Sequence, residues 1–396
     1  SSIGQEVGQS LLFDSGTRAS LVRPTVPPSL YGGGAWTISF WAKRAHLYGG
    51  KQDIISFGAS ASNPNGAING SLITFNGDNT LSVINDNRID TPWTYVCGDA
   101  GNPRIFRDEG AWTHFVINFD SGAGYDEGQP IKFYINGELQ PSAATYGSVT
   151  RAQATWFLDG HRTCIGNSAE NSWDYQHKGY LADFYAIDGE ALGAEHFAIE
   201  DAKGAYNPIP YEGFYGQNGF HLSFSDEDSI GADLSGNNNN FDVYGLTPES
   251  VVSDCPGNNF ATLNPLGRWP NPSGESITWA LEQGNLRWNN PANAYWSTSS
   301  NFPVSSGKWY AEFTYAAQSV AGISLIVGVA DPSLIFSQQH LPNTAENGYS
   351  YGYGNIYKNG SAASVASGLG YMATAVSYTH LRAHETREDL VCRVLL

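Results

Sequence analysis

The sequence predicts an all-β protein made of antiparallel β-sandwiches, and three observations carry that prediction. Glycine (45) and proline (19) are abundant and only 15% of residues are charged, a mixture that suits short strands joined by turns. Apolar residues recur with period two over short stretches, the pattern of half-buried strands. Between those stretches stand turn-forming residues, among them Asn-Gly pairs.

The strands follow in order. In Thr37–Ala42, the residues Ile38, Phe40 and Ala42 share one face. Ser71–Ile84 is two strands around Asn76-Gly77. In Trp112–Asp120, Thr113, Phe115, Ile117 and Phe119 fall on the core side, opposite Trp112, His114, Val116 and Asn118. His114 therefore reads as a structural histidine. Ile131–Leu139 alternates Ile131, Phe133 and Ile135, then meets Asn136-Gly137, whose tolerance of positive φ suits a tight hairpin. Helical spacing is confined to residues 190–203, where Leu192, His196 and Ile199 predict a short helix that closes the domain.

Composition bounds function. With 20 basic against 38 acidic residues the net charge is −18, which repels phosphate backbones and argues against nucleic-acid binding. The longest apolar stretches, such as Ile323–Ala330, fall far short of the roughly 20 residues a membrane-spanning helix needs, so no membrane insertion is expected. No secretory leader is expected within residues 1–30. Cys97, Cys164, Cys255 and Cys392 are widely spaced without a CxxC pair, which predicts free thiols rather than a zinc site or a disulfide framework.

Leu11–Asp14, Trp36–Lys43, Ile54–Gly58, Trp112–Val116, Ile131–Gly137, Ile165–Asn167 and Gly179–Glu190 carry a resemblance. Their order and spacing over residues 1–205 resemble the concanavalin A-like, laminin-G-type jelly roll. The resemblance implies two packed antiparallel sheets that bind glycans or proteins. Residues 206–266 shift to Asn, Asp, Gly and Pro and read as a loop-rich connector with a few strands. Within it, Gly219–Ser225, Asp233–Phe241 and Asn258–Pro265 resemble connectors that follow laminin-G-like domains in phage virion proteins. In residues 267–375, Ser306–Thr314, Ile326–Asp331, Tyr349–Gly354 and Ile356–Gly360 resemble the first half of a SPRY domain, a second sandwich expected to have an unpaired edge. Trp309, Ala311, Phe313 and Tyr315 alternate there as a packed strand should. Residues 376–396 resemble a translated sequencing adapter, the expectation being an artefact at the end of a metagenomic fragment. His380 and His384 of that tail are accordingly discounted as metal ligands.

Candidate chemistry is sparse. Gly348–Gly352 matches G-x-S-x-G, but the following strand and turn argue against a hydrolase elbow at Ser350. No E-x-D-x-x-E run places an acid and a nucleophile across a glycosidic bond, so no catalytic residue is expected. Asp226–Gly231 starts like an EF-hand loop, but Ile230 and Asn237 stand where oxygen ligands belong. A calcium ion at the rim, as the resemblance implies, would draw on Asp78, Asn79, Asp86 and Asp90. Trp93, Tyr95, Trp156, Trp173 and Tyr175 are candidate platforms on which a sugar ring could stack.

The expectation is therefore a non-enzymatic phage tail-fibre or appendage protein, in the virion and extracellular when released. Its sandwiches would bind host-surface carbohydrate or neighbouring virion proteins, with homo-oligomerisation resting on analogy. A glycan-degrading enzyme or its binding module, and a purely structural virion protein, are the alternatives.

Overall fold

The computed structural model describes residues 7–13, 18–28, 30, 34–47, 50–58, 71–85, 92–122, 124–150, 157–158, 160–168, 175–265, 280–289, 298–304, 312–315, 326–330, 348–352, 355–358, 376–379 and 390–393. The chain divides into two units, Ser1–Phe260 and Ala261–Leu396. The described residues contain strands, turns and short 3-10 segments.

The strands of the first unit are β1 (Ser10–Phe13), β2 (Ser20–Arg23), β3 (Ala35–Arg44), β4 (Gln52–Gly58), β5 (Ser71–Phe75), β6 (Leu81–Asn85), β7 (Trp93–Asp99), β8 (Asn102–Pro103), β9 (Thr113–Asp120) and β10 (Ile131–Ile135). They continue as β11 (Glu138–Gln140), β12 (Ser142–Tyr146), β13 (Arg162–Ile165), β14 (Gly179–Asp188), β15 (Ala198–Glu200), β16 (Tyr206–Pro208), β17 (Phe220–Leu222), β18 (Asp242–Tyr244) and β19 (Val251–Val252). One sheet runs β11-β10-β9-β3-β14-β1-β19 with β17 also on β14; the other runs β12-β7-β6-β5-β4-β13-β2-β18 with β8 on β7. All of their ladders are antiparallel.

The two sheets close over one core. Ile38 and Phe40 of β3 and Phe115 and Ile117 of β9 face Ile73 and Phe75 of β5 and Trp93 and Tyr95 of β7, all within 4% of full burial. Aromatic contacts tie the layers: Phe40 stacks on Phe115 with centroids 5.2 Å apart, and Phe75 meets Phe115 edge-on at 5.7 Å. The expected core faces of β3, β9 and β10 are thus the faces that pack inward.

Three expectations need correcting. Residues 206–260 are part of the sandwich rather than a connector: β17 extends β14, β18 extends β2 and β19 extends β1. Phe220, Leu222, Phe224, Ile230 and Phe241 enter the main core. Composition hid this because the Asn-rich loop is tied down by side-chain bonds. Asp233 carboxylate oxygens accept from the backbone N–H groups of His221, Ser235 and Asn239, while Asn237 and Asn239 donate to the Gly219 carbonyl. The helix expected at 190–203 is a 3-10 turn, Ala194–His196, followed directly by β15, whose pairing with β16 wins over a weak helical spacing. Finally, the outer face of the first sheet is covered, so β3 and β14 are buried on both sides. Trp41, Trp112 and Tyr180 pack there with Ala198 and Cys255, and Val116 and Tyr185 pack with Phe197 and Tyr211.

In the second unit the strands are β20 (Ala280–Glu282), β21 (Arg287–Asn289), β22 (Pro303–Val304), β23 (Glu312–Tyr315), β24 (Ile326–Ala330), β25 (Gly348–Gly352), β26 (Asn355–Lys358), β27 (Val376–Thr379) and β28 (Leu390–Arg393). A five-stranded sheet runs β22-β28-β24-β25-β26, and β23 pairs β27. Two segments of the adapter-like tail therefore lie in ladders. Ser350 sits mid-strand in β25, opposite Gly328 and Tyr357. Of the alternating residues, Trp309 and Ala311 lie outside the described residues.

Candidate functional site: an aromatic groove on the outer face

A groove of about 650 Å³ opens on the outer face of the first sheet, within the volume range of small-molecule sites. Its lining includes Trp41, Trp112, Asn136, Gly137, Glu195 and Tyr206, with Arg104, Glu138, Ile199 and Glu200 around them. Six places supply these groups: β3, the segment after β8, the stretch before β9, the β10–β11 turn, the 3-10 turn Ala194–His196 and the β15–β16 hairpin.

Each wall has a local cause. Asn136 and Gly137 form the β10–β11 turn with φ of 47° and 81°, the left-handed pair a two-residue hairpin demands. Asn136 Oδ1 accepts the His114 backbone N–H at 2.8 Å, which pins the turn to β9. The Tyr206 ring lies over Gly137 so closely that a Cβ there would come within 2.9 Å of it. Tyr206 also packs on Trp41 (6.1 Å) and His114 (5.5 Å). Trp112 donates its indole N–H to Asp254 Oδ1 at 2.8 Å.

Asp254 is itself held by Lys43, whose Nζ donates to Asp254 Oδ2 (2.7 Å), Asn259 Oδ1 (2.8 Å) and the Phe260 carbonyl (2.6 Å). Burial lowers the Lys43 pKa against the opposing pull of Asp254. His114, stacked on Trp41 at 4.8 Å, bonds Ser39 Oγ through Nε2, and burial holds its pKa down to about 3. It is neutral and structural, with no role as a proton carrier near neutrality. Burial, then Glu195 and Glu200, push the Tyr206 phenol up to about 12.

The residues anticipated from sequence fall elsewhere. Trp93 is fully buried and Tyr95 is 4% exposed; both point into the core from β7, T-shaped at 5.7 Å, so neither ring can meet a sugar. Their i, i+2 spacing with Cys97 marks an inward face of a strand that the polar residues before Trp93 disguise as a loop. Tyr175 is 39% exposed and away from the groove lining. Trp156 and Trp173 lie outside the described residues, as do Asp86 and Asp90.

For calcium, Asp78 Oδ1 accepts from both the backbone N–H and the hydroxyl of Thr80, closing its own turn. Asn79 Oδ1 accepts from Arg44 Nη1 at 2.9 Å, a cation where a calcium ligand would need to be free. Among the described residues no group of three or more metal-ligating side chains is found. Cys97, Cys164 and Cys255 are buried, and burial pushes the Cys97 and Cys164 thiols up to about 12, far from a reactive thiolate.

Comparison with known proteins then bears on the first unit. Residues 16–196 match the family model of the concanavalin A-like lectin/glucanases superfamily. The fold of this unit is the concanavalin A-like jelly roll, an antiparallel β-sandwich. Groove residues Ala198, Ile199, Glu200, Gly204 and Tyr206 lie beyond the matched segment.

No curated protein matches the sequence at significance. Solved structures with a similar fold include a Bacteroides ovatus protein described as a candidate carbohydrate binder, at 13% identity and a TM-score of 0.30, covering 52% of this chain and 58% of that one. The CBM40 of the Ruminococcus gnavus IT-sialidase is another, at 12% identity and a TM-score of 0.30, covering 44% of this chain and 94% of that one. Domains LG4-5 of the mouse laminin alpha1 chain are a third, at 13% identity and a TM-score of 0.29, covering 52% of this chain and 46% of that one.

Proposed function

We propose that the first unit is a saccharide-binding module that holds its ligand in the groove over Tyr206 without cleaving it. One observation carries the reading: the half-buried Tyr206 ring, backed by Trp41 and ringed by the exposed hydrogen-bonding side chains of Asn136, Glu138, Glu195 and Glu200, a combination that receives the apolar face and the hydroxyls of a sugar ring. The match of residues 16–196 to a lectin and glucanase superfamily agrees with it. Binding without catalysis is supported by the missing E-x-D-x-x-E run.

The setting we propose is a phage virion appendage whose first unit binds host-surface carbohydrate, a reading supported by the resemblance of Gly219–Ser225 and Asp233–Phe241 to segments that follow laminin-G-like domains in phage virion proteins. The second unit would serve as a further sandwich of SPRY type. A second reading, docking of a neighbouring virion protein, is favoured by β18, an edge strand whose Asp242, Val243 and Tyr244 are all exposed.

A glycan array probed with the full chain tests this, alongside Ile199→Trp. Ile199 is 45% exposed at the groove, so the larger ring fills the site without emptying the core. Binding by the wild type that Ile199→Trp weakens about 10-fold or more is the expected result. A folded wild-type chain that binds no glycan overturns the reading in favour of protein packing.

A further inference from the structure

The groove has a one-sided charge. Three carboxylates, those of Glu138, Glu195 and Glu200, stand against the single guanidinium of Arg104. Arg104 is drawn aside, donating from Nη1 to Gln140 Oε1 at 2.6 Å and lying 5.6 Å from the Phe106 ring centroid. Glu195 lies 3.7 Å from His196 Nε2 in an exposed contact that screens it little.

Glu200 is the direct cross-strand partner of Tyr206 in the β15–β16 hairpin, which sets a carboxylate beside the aromatic ring. Burial is the main cause of the raised Tyr206 phenol, and the charges of Glu195 and Glu200 add to it. An aromatic ring flanked by carboxylates is an environment for an ammonium ion, attracted by the charges and by the ring's quadrupole. Trp41, 2% exposed, backs the Tyr206 ring from beneath, with centroids 6.1 Å apart.

Resting on the saccharide reading of this groove, we propose that its preferred ligand is an amino sugar carrying a free ammonium group, held beside Tyr206 by Glu195 and Glu200. Acidic sugars are excluded by the same carboxylates. The acetylated counterpart lacks the charge and loses the preference.

Calorimetric titration of the full chain at low salt with trimers of glucosamine, N-acetylglucosamine and galacturonate, and with trilysine, tests the inference. The glucosamine trimer should bind about 10-fold more tightly than the N-acetylated trimer and tighter still than galacturonate. Glu200→Gln, at an exposed position, should reduce that preference about 3-fold, and raising the salt concentration should shrink it further. Equal or tighter binding of the N-acetylated trimer, or a preference that Glu200→Gln leaves unchanged, overturns the amino-sugar assignment while the saccharide reading stands. Trilysine binding as tightly as the glucosamine trimer also overturns it, the groove then taking protein ammonium groups. If no sugar binds, the saccharide reading falls with it.

Discussion

His114 and His177 are both enclosed, and burial, with Arg44 adding to it at His177, holds each near a pKa of about 3. Their folded values lie below the ordinary 6.5, so the unfolded chain binds protons more readily. Their contribution is intact above pH 6.5 and is lost as pH falls toward 3, at about 1.4 kcal/mol per pH unit for each. Urea unfolding between pH 7.5 and 4.5 should show His114→Gln with a shallower loss of stability than the wild type; parallel slopes would contradict this. Lys43 makes the opposite case, a buried cation kept by one carboxylate. Asp254→Ala should cost about 3–5 kcal/mol in urea unfolding by leaving Lys43 without its counter-charge and the Trp112 indole N–H without its acceptor, while Asp254→Asn, which keeps an acceptor oxygen, should cost less. At this scale the sequence was only partly legible. His114 reads correctly as structural from its place in β9, but nothing local tells Lys43 that its partner is 211 residues away.

The element that decides the architecture is the stretch from β17 to β19. Phe220, Leu222, Phe224 and Phe241 together bury about 6–12 kcal/mol of side chain in the main core, comparable with the whole stability of a domain. A fragment ending at residue 205 should therefore lack a cooperative melt, whereas one ending at residue 260 should melt cooperatively in calorimetry. Gly137 is the second sensitive point. Ala there meets the Tyr206 ring and a φ of 81°, and should cost about 1–2 kcal/mol while weakening any groove ligand. A strand with one face on the core, such as β10, announces itself by period two. Strands covered on both faces, such as β3 and β14, mix polar and apolar burial, and the short strands β17 to β19 are masked by Asn and Gly that the Asp233 network puts to use.

Over the whole molecule the site is a product of topology. Trp41, Trp112, Asn136 and Tyr206 come from four separated places, and the cover that completes the groove arrives after the chain has crossed both sheets. Sequence scanning for exposed aromatics selected Trp93 and Tyr95 because their neighbours are polar; the register of β7 turns both inward. Its more useful signal was Asn136-Gly137, a turn whose missing Cβ is what admits Tyr206. The net charge of −18 acts at this scale too, favouring cationic over anionic ligands at long range and weakening that bias as salt rises.

The central claim is that a saccharide binds between the Asn136-Gly137 turn and the β15–β16 hairpin. Hydrogen–deuterium exchange of the full chain, with and without a glycan that binds it, tests that most directly. Slower exchange in peptides spanning 104–112, 134–139 and 195–207, with the remainder unchanged, is the predicted outcome. Protection confined to peptides away from the groove, such as 71–85, would place the ligand elsewhere and contradict the account.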